Sequence, residues 1–384
     1  MHAPVRIVAT RPPPTLMQHA PYTLADFGRN PLMFYYEITQ ACDLVCKHCR
    51  ASAQENPADD ELTTDLSTAL IDQVASFPRK PILVLTGGDP LKRADLFDLI
   101  AHARSHDLQV ALTPSATPLA TREAFGRVKE AGVSALGISL DGADAATHDA
   151  FRGWEGSFER TLGMLADARE LEFPVQVNTS ITRRNFHQID AIAELLADQG
   201  IAMWSVFFLV PVGRGVEEIR ISAAEYEVAF EKLYQHAQTK PFGVKTTEAP
   251  HYRRWVLQHG GHPLDGPKSA DGGHRRVHRA PLGVTDGRGV MFVSHNGEIF
   301  PAGFLPVVCG RFPEVSVVET YQSHPVFKAL QDPDRYQGIC GACEYRHVCG
   351  GSRARAYAVT GDYLEGEPDC VHVPGSDPEP EVGG

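Results

Sequence analysis

Between Met33 and Val210 the chain repeats one pattern: a short run of apolar, β-forming residues, then a longer stretch of helical periodicity. The runs over residues 33–39, 82–86, 109–113, 135–140, 175–179 and 204–210 predict strands. Helical spacing covers 65–77, 94–105, 122–131, 157–171 and 185–198. Thr64 or Asp65 is placed to cap the first of these, and Gly132 to stop the third. Near-continuous apolar strands separated by helices imply a parallel sheet, because the crossover helices cover its faces. Six such units in about 180 residues suit an open, partial (β/α)6 barrel rather than a closed eight-unit one. The expected fold class is therefore α/β.

Past Val210 the alternation stops. Residues 223–238 read as an amphipathic helix, whereas 260–280 mix glycine, proline, histidine and arginine without periodicity, as in a mobile connection or lid. Asn296-Gly297 between the apolar runs 291–294 and 298–300 predicts a hairpin. The expected organisation is an arm over 1–30, the partial barrel over 31–212, and a helical connection with a mobile loop over 213–289. A small cysteine-rich domain over 290–373 and a disordered tail over 374–384 complete it.

Charge narrows the partners. Thirty-six basic against 48 acidic side chains leave a formal net charge of −12, the wrong sign for tracking a phosphate backbone, so nucleic acid is not an expected partner. No uncharged apolar run approaches the ~20 residues of a membrane-spanning helix. Residues 1–15 lack the apolar core of a secretory signal. The expectation is a cytoplasmic protein with no membrane partner.

The chemistry is concentrated in the cysteines, which fall in two sets. Cys42, Cys46 and Cys49 follow the first strand; Cys340, Cys343, Cys349 and Cys370 lie near the other end, with Cys309 apart. Clustered thiols in a large chain without secretory features read as metal ligands rather than a disulfide framework. Three thiolates from one loop can hold three corners of a 4Fe–4S cubane and leave the fourth iron open. A structural metal knot is the alternative; zinc would want a fourth ligand, and only His48 lies within the motif. Four thiolates can saturate a 4Fe–4S cluster or close a zinc site, and spacing does not choose between them.

Context chooses. Cys42-x3-Cys46-x2-Cys49 ends the first strand, Thr86-Gly87-Gly88-Asp89-Pro90 the second, and Ser139-Leu140-Asp141-Gly142 the fourth. In that order the three motifs resemble the radical S-adenosylmethionine (SAM) enzymes over about residues 33–210. The resemblance implies that Cys42, Cys46 and Cys49 ligate a 4Fe–4S cluster whose open iron binds SAM. It also implies one-electron cleavage of SAM to a 5′-deoxyadenosyl radical, which takes a hydrogen atom from a C–H bond. A flavodoxin- or ferredoxin-like electron donor is the implied partner. Gly87 and Gly88 would let backbone approach the methionine moiety, since no Cβ intervenes. Asp89 stands where the family has Glu. Ser139, Asp141 and Asn178, at strand ends, would meet ribose or carboxylate, and Arg152 would pair with the SAM carboxylate. His48, at the family's aromatic position, would pack near adenine and is not taken as a metal ligand.

Cys340-Gly-Ala-Cys343 through Gly350-Gly351-Ser352-Arg353-Ala354-Arg355 to Cys370 is similar to the SPASM/twitch-type segment of these enzymes, nearest the alternative haem pathway group, haem b synthase-like. It implies an auxiliary 4Fe–4S cluster on Cys340, Cys343, Cys349 and Cys370. Ser352 stands where several relatives have a cysteine, and Pro301-Ala302 where many have Pro-Cys, so a second auxiliary cluster in this domain is not expected. Cys309 then reads as a buried spare thiol. Arg353 and Arg355, two apart, cannot share a helix face; one is expected to pair with an acid such as Glu365 and the other to face the site. Arg275, Arg276 and Arg279 read as solvated charge, and His259, His262, His274 and His278 as non-ligands.

Three functions are compatible. One is a radical SAM oxidoreductase or lyase acting on a carboxylated small molecule, most concretely haem-precursor oxidative decarboxylation. The second is a maturase of a ribosomal peptide, which an added peptide-binding N-terminal domain would favour; residues 1–30 are too short for one, which tilts the balance to the first. The third is a non-catalytic, metal-containing binding protein. No residue is singled out as catalytic.

Overall fold

Period-two alternation decides which way each strand faces. Phe34, Tyr36, Leu83, Leu85, Val110, Leu112, Leu136, Ile138, Val177, Trp204 and Val206 all enter one hydrophobic core with the helices. Their neighbours Tyr35, Glu37, Ala111, Ser139, Asn178 and Ser205 fall on the opposite, inner face of the sheet. This polar inner face is where a site can be built.

The computed structural model describes residues 22–268, 274–276 and 282–376. Strands β1 (Met33–Glu37), β2 (Ile82–Thr86), β3 (Gln109–Leu112), β4 (Ala135–Ser139), β5 (Val175–Ile181), β6 (Met203–Phe208) and β7 (Gly243–Thr247) pair in chain order, all parallel. Helices α1 (Thr64–Ala75), α2 (Leu96–Ser105), α3 (Arg122–Glu130), α4 (Ala145–Arg152), α5 (Ser157–Glu170), α6 (Ile189–Ala197) and α7 (Ala223–Thr239) make the connections. Helix α8 (His251–Gln258) follows β7, and β8 (Asp265–Lys268) with β9 (His274–Arg276) forms a separate antiparallel ribbon. Strand β10 (Val290–Val293) lies parallel to β1 on its free side and carries β11 (Ile299–Phe300) antiparallel beyond it. The rest is short helices: α9 (Val317–Ser323), α10 (Pro325–Leu330), α11 (Gly338–Gly341) and α12 (Arg353–Thr360).

The structure corrects the sequence reading in four places. The alternation does not stop at Val210, because α7 leads into a seventh parallel strand. Gly243-Val-Lys-Thr-Thr247 has no apolar run to announce it; pairing with β6 makes it a strand. Helix α4 was not expected. Asp144 caps it, its Oδ1 accepting from Thr147 N at 2.8 Å, and Gly153 ends it in the left-handed region. The hairpin around Asn296-Gly297 forms as expected, but its first strand extends the barrel sheet at the β1 edge, a long-range pairing that no local pattern encodes. Thr63, one residue earlier than expected, caps α1. Residues 1–21 of the arm, 377–384 of the tail, His278 and Arg279 lie outside the described residues, as do the side chains of His274, Arg275 and Arg276.

Candidate functional site

The loop after β1 carries the first cysteine set. Cys42, Cys46 and Cys49 pack in one small cluster with Leu44, Ala53 and Trp154. Each sulfur has an N–H aimed at it at 3.4 Å: Leu44 N toward Cys42, Ala53 N toward Cys49, and Arg152 Nη1 toward Cys46. Burial pushes the Cys42 thiol up to about 11, and pushes Cys46 up against the pull of Arg152. Buried sulfurs that are aimed at as acceptors, yet resist ionising alone, fit a bound metal, which stabilises thiolate outright.

Two other loops hold this one in place. Gly88 N donates to Thr39 O at 2.8 Å and Asp89 N to Ala41 O at 2.7 Å. Gly87 has φ +155°, and a Cβ there would collide with the Thr39 carbonyl; one on Gly88 would sit 2.6 Å from Gln40 O. The close approach that these glycines permit is therefore to the cysteine loop itself, where the sequence reading had placed the methionine moiety. Gly88→Ala is expected to displace the loop and to lower iron bound by the first set, measured as iron per chain after anaerobic reconstitution. Wild-type iron content would contradict this.

From the other side comes Arg214, which sequence reasoning missed. Its Nε donates to Cys46 O at 2.9 Å and its Nη1 to Ala53 O at 2.8 Å, while Arg214 N reaches Cys49 O at 3.0 Å. Gly213-Arg214-Gly215 directly after the sixth strand was the available signal.

The remaining first-site residues are brought together, some in unexpected roles. The Asp89 carboxylate is fully buried: Oδ2 accepts from Thr117 Oγ1 at 2.6 Å and Oδ1 from Ser115 N and Leu91 N. It braces the β2 and β3 turns and is not presented to a ligand. Arg152, expected on the SAM carboxylate, has Nε 3.0 Å from Asp141 Oδ2. Asp141 is nearly inaccessible, with Oδ1 accepting from Ser180 N at 2.6 Å. Burial opposes its charge, but Arg152, His48 and His148 outweigh that and hold its carboxyl below the usual range. His48 lies against the Phe151 ring, centroids 4.3 Å apart, with Nε2 3.7 Å from Asp141 Oδ2. Burial lowers its pKa to about 4, so it is neutral. Ser139 and Asn178 are register partners on the inner face of β4 and β5, and Asn178 Oδ1 accepts from Gln176 Nε2 at 2.8 Å.

Cys340, Cys343, Cys349 and Cys370 line one small cavity of about 20 Å³. Glu367 N and Arg353 Nη2 donate to Cys340 Sγ at 3.2 and 3.4 Å; Tyr345 N and Gly351 N reach Cys343 and Cys349 at 3.4 Å. Arg254 Nη2 reaches Cys370 at 4.0 Å, and four converging sulfurs, each with a donor, fit a fully ligated metal group. Both arginines of α12 are buried, one on acids and the other toward a cysteine, but the acid is not Glu365. Arg355 pairs with Glu367 at 2.8 Å and Asp369 at 3.2 Å. Arg353 faces Cys340 and donates to the Glu365 backbone carbonyl at 2.6 Å rather than to its carboxylate. Ser352, where a cysteine was a possibility, caps α12 and donates to Glu248 Oε2 at 2.5 Å. Cys309 sits in the main core, its Sγ 3.5 Å from Val307 O, and burial pushes its thiol up to about 12.

An open parallel sheet with three cysteines behind its first strand defines a class. Residues 36–196 match the model of the Radical SAM superfamily. The chain belongs to that superfamily and is an enzyme of it, and membership implies a 4Fe–4S cluster and SAM. Along nearly its whole length it is similar to AdoMet-dependent heme synthase of Methanosarcina barkeri, 41 % identical over 345 residues, spanning 90 % of this chain and 97 % of that one. The AdoMet-dependent heme synthase of Nitratidesulfovibrio vulgaris is 39 % identical over 360 residues, 93 % of this chain and 96 % of that one. Among solved structures, Streptococcus suis SuiB bound to precursor peptide SuiA superposes with TM-score 0.67 at 14 % identity, covering 91 % of this chain and 78 % of that one, a likeness of fold alone. Among the described residues, no helix is long and apolar enough to cross a membrane.

Proposed function

We propose that the chain carries out oxidative decarboxylation of a haem precursor, turning a propionate side chain into a vinyl group. In balance, –CH2–CH2–COO⁻ gives up one hydrogen atom, CO2 and one electron. The observation that carries this reading is the similarity to the two heme synthases over 90 % and 93 % of this chain. Cys42, Cys46 and Cys49 would hold the SAM-binding 4Fe–4S cluster, and Cys340, Cys343, Cys349 and Cys370 an auxiliary one. When bound, the first cluster with SAM supplies a hydrogen-abstracting radical, and the second, with no open iron, supplies redox capacity.

This chain's residues do the positioning. The Asp141–Arg152 pair fixes α4 and β4 beside Cys46, and the inner-face polar groups Ser139 and Asn178 lie at the mouth where SAM would bind. In this reading the partial barrel is followed by an auxiliary-cluster domain over 290–373, with a flavodoxin- or ferredoxin-like donor in the cytoplasm as electron source. The test is anaerobic incubation of reconstituted protein with iron-coproporphyrin, SAM and dithionite. Mass spectrometry should show loss of CO2 and two hydrogen atoms per propionate, counted as the acid. An unchanged porphyrin mass alongside ongoing SAM cleavage would overturn the substrate class.

A further inference from the structure

Beside the first cysteine loop lies a cavity of about 640 Å³. Its walls come from the first cysteine loop, the loop after β6, the β10–β11 hairpin and the end of α12. Three of its lining residues form a built charge cluster that the site described above does not use. Glu37, at the end of β1, is buried with both carboxylate oxygens engaged. Oε2 accepts from Arg50 Nη2 at 2.6 Å, and Oε1 lies 2.8 Å from His295 Nδ1. One buried anion thus fixes a guanidinium and an imidazole side by side.

Each of those groups keeps a donor edge in reserve. The Arg50 guanidinium lies over the Phe292 ring, 4.4 Å from its centroid, and makes no other hydrogen bond among the described residues. Among the described residues His295 Nε2 makes no hydrogen bond; the exposed Asp60 lies 3.7 Å from it, beyond hydrogen-bond reach. Burial disfavours the imidazolium, but the bond to Glu37 outweighs it and raises the His295 pKa. The other acids close by are already engaged. Glu298 pairs with Arg311 at 3.1 Å, and Glu61 accepts from Thr39 Oγ1 and Gln40 N, both at 2.8 Å.

A planar guanidinium edge next to an imidazole N–H, both pinned by one anion in a cavity wall, suits a carboxylate. We propose that Arg50 and His295, held by Glu37, anchor a carboxylate of the substrate in this cavity, placing the rest of the molecule against the first cysteine loop. This rests on the decarboxylase reading and names the residues that recognise its substrate. Arg50 and His295 are then specificity-determining residues, and Glu37 is a positioning residue.

The test titrates anaerobically reconstituted holoprotein with iron-coproporphyrin and with its tetramethyl ester, following the porphyrin absorbance. Wild type is expected to prefer the free acid by about tenfold or more, the worth of a charge-assisted hydrogen-bond pair. In Arg50→Gln and in His295→Gln the preference should shrink severalfold. His295→Gln alone decides the matter should Arg50→Gln, next to Cys49, lose iron. An unchanged acid-over-ester preference in His295→Gln, with CO2 loss intact in wild type, would overturn this inference and leave the decarboxylase reading standing. Wild type that binds neither form would overturn both.

Discussion

Cys46→Ala is expected to abolish 5′-deoxyadenosine formation, a drop of at least about a thousandfold, and to halve the iron from about eight to about four per chain, one cubane of two. The reason is local. Cys46 is buried between Cys42 and Cys49 with Arg152 Nη1 aimed at its sulfur, and the other two thiols cannot hold a cubane by themselves. Losing the sulfur also leaves the Arg152 guanidinium, paired with Asp141, facing an empty corner. Cys340→Ala should likewise remove about four irons but leave SAM cleavage measurable, because its sulfur belongs to the other set. Equal loss of cleavage in both variants would contradict the division of labour between the two sets. Quantifying iron and 5′-deoxyadenosine on the same samples decides it.

Arg355→Leu is expected to carry the largest stability cost. The Arg355 and Glu367 side chains are only 0 % and 1 % exposed, so solvent does not screen their pair. Removing one member of such a pair strands the other charge, at about 3–5 kcal/mol. Arg355 also ties three segments together. It donates to Leu209 O after β6, to Glu248 O after β7, and to Glu367 in the C-terminal segment, whose backbone N donates to Cys340 Sγ. The effect should appear as a lower denaturant midpoint with an unchanged slope, together with faster iron loss from the second set. Replacing both partners by apolar residues should recover part of the loss, because no buried charge then remains. A midpoint shift worth less than about 1 kcal/mol for the single variant would show that the pair is solvated in solution.

What the sequence made legible follows from how local each signal is. Strands β1 to β6 carry apolar runs that declare themselves, and the cysteine spacings need no tertiary knowledge. Strand β7 was missed because Lys245 and two threonines dilute its pattern; β10 was expected as a hairpin strand, but not its place beside β1, over 250 residues away. Polar residues were the hardest to place. Asp89 and Asp141 sit at strand ends as expected, yet both are turned inward, Asp89 to Thr117 and Asp141 to Ser180 and Arg152. The Glu37–Arg50–His295 cluster was invisible, since each residue alone is an ordinary charge and only the pairing of β10 with β1 brings His295 to Glu37.

The central claim is that Cys42, Cys46 and Cys49 hold an iron–sulfur cluster competent to split SAM. Wild-type protein reconstituted without oxygen, then given SAM and dithionite, tests it most directly through metal analysis and product detection. About eight irons per chain, no zinc, and accumulation of 5′-deoxyadenosine and methionine are the predicted result. Zinc in place of iron on the first set, or a full complement of iron with no 5′-deoxyadenosine, would contradict it.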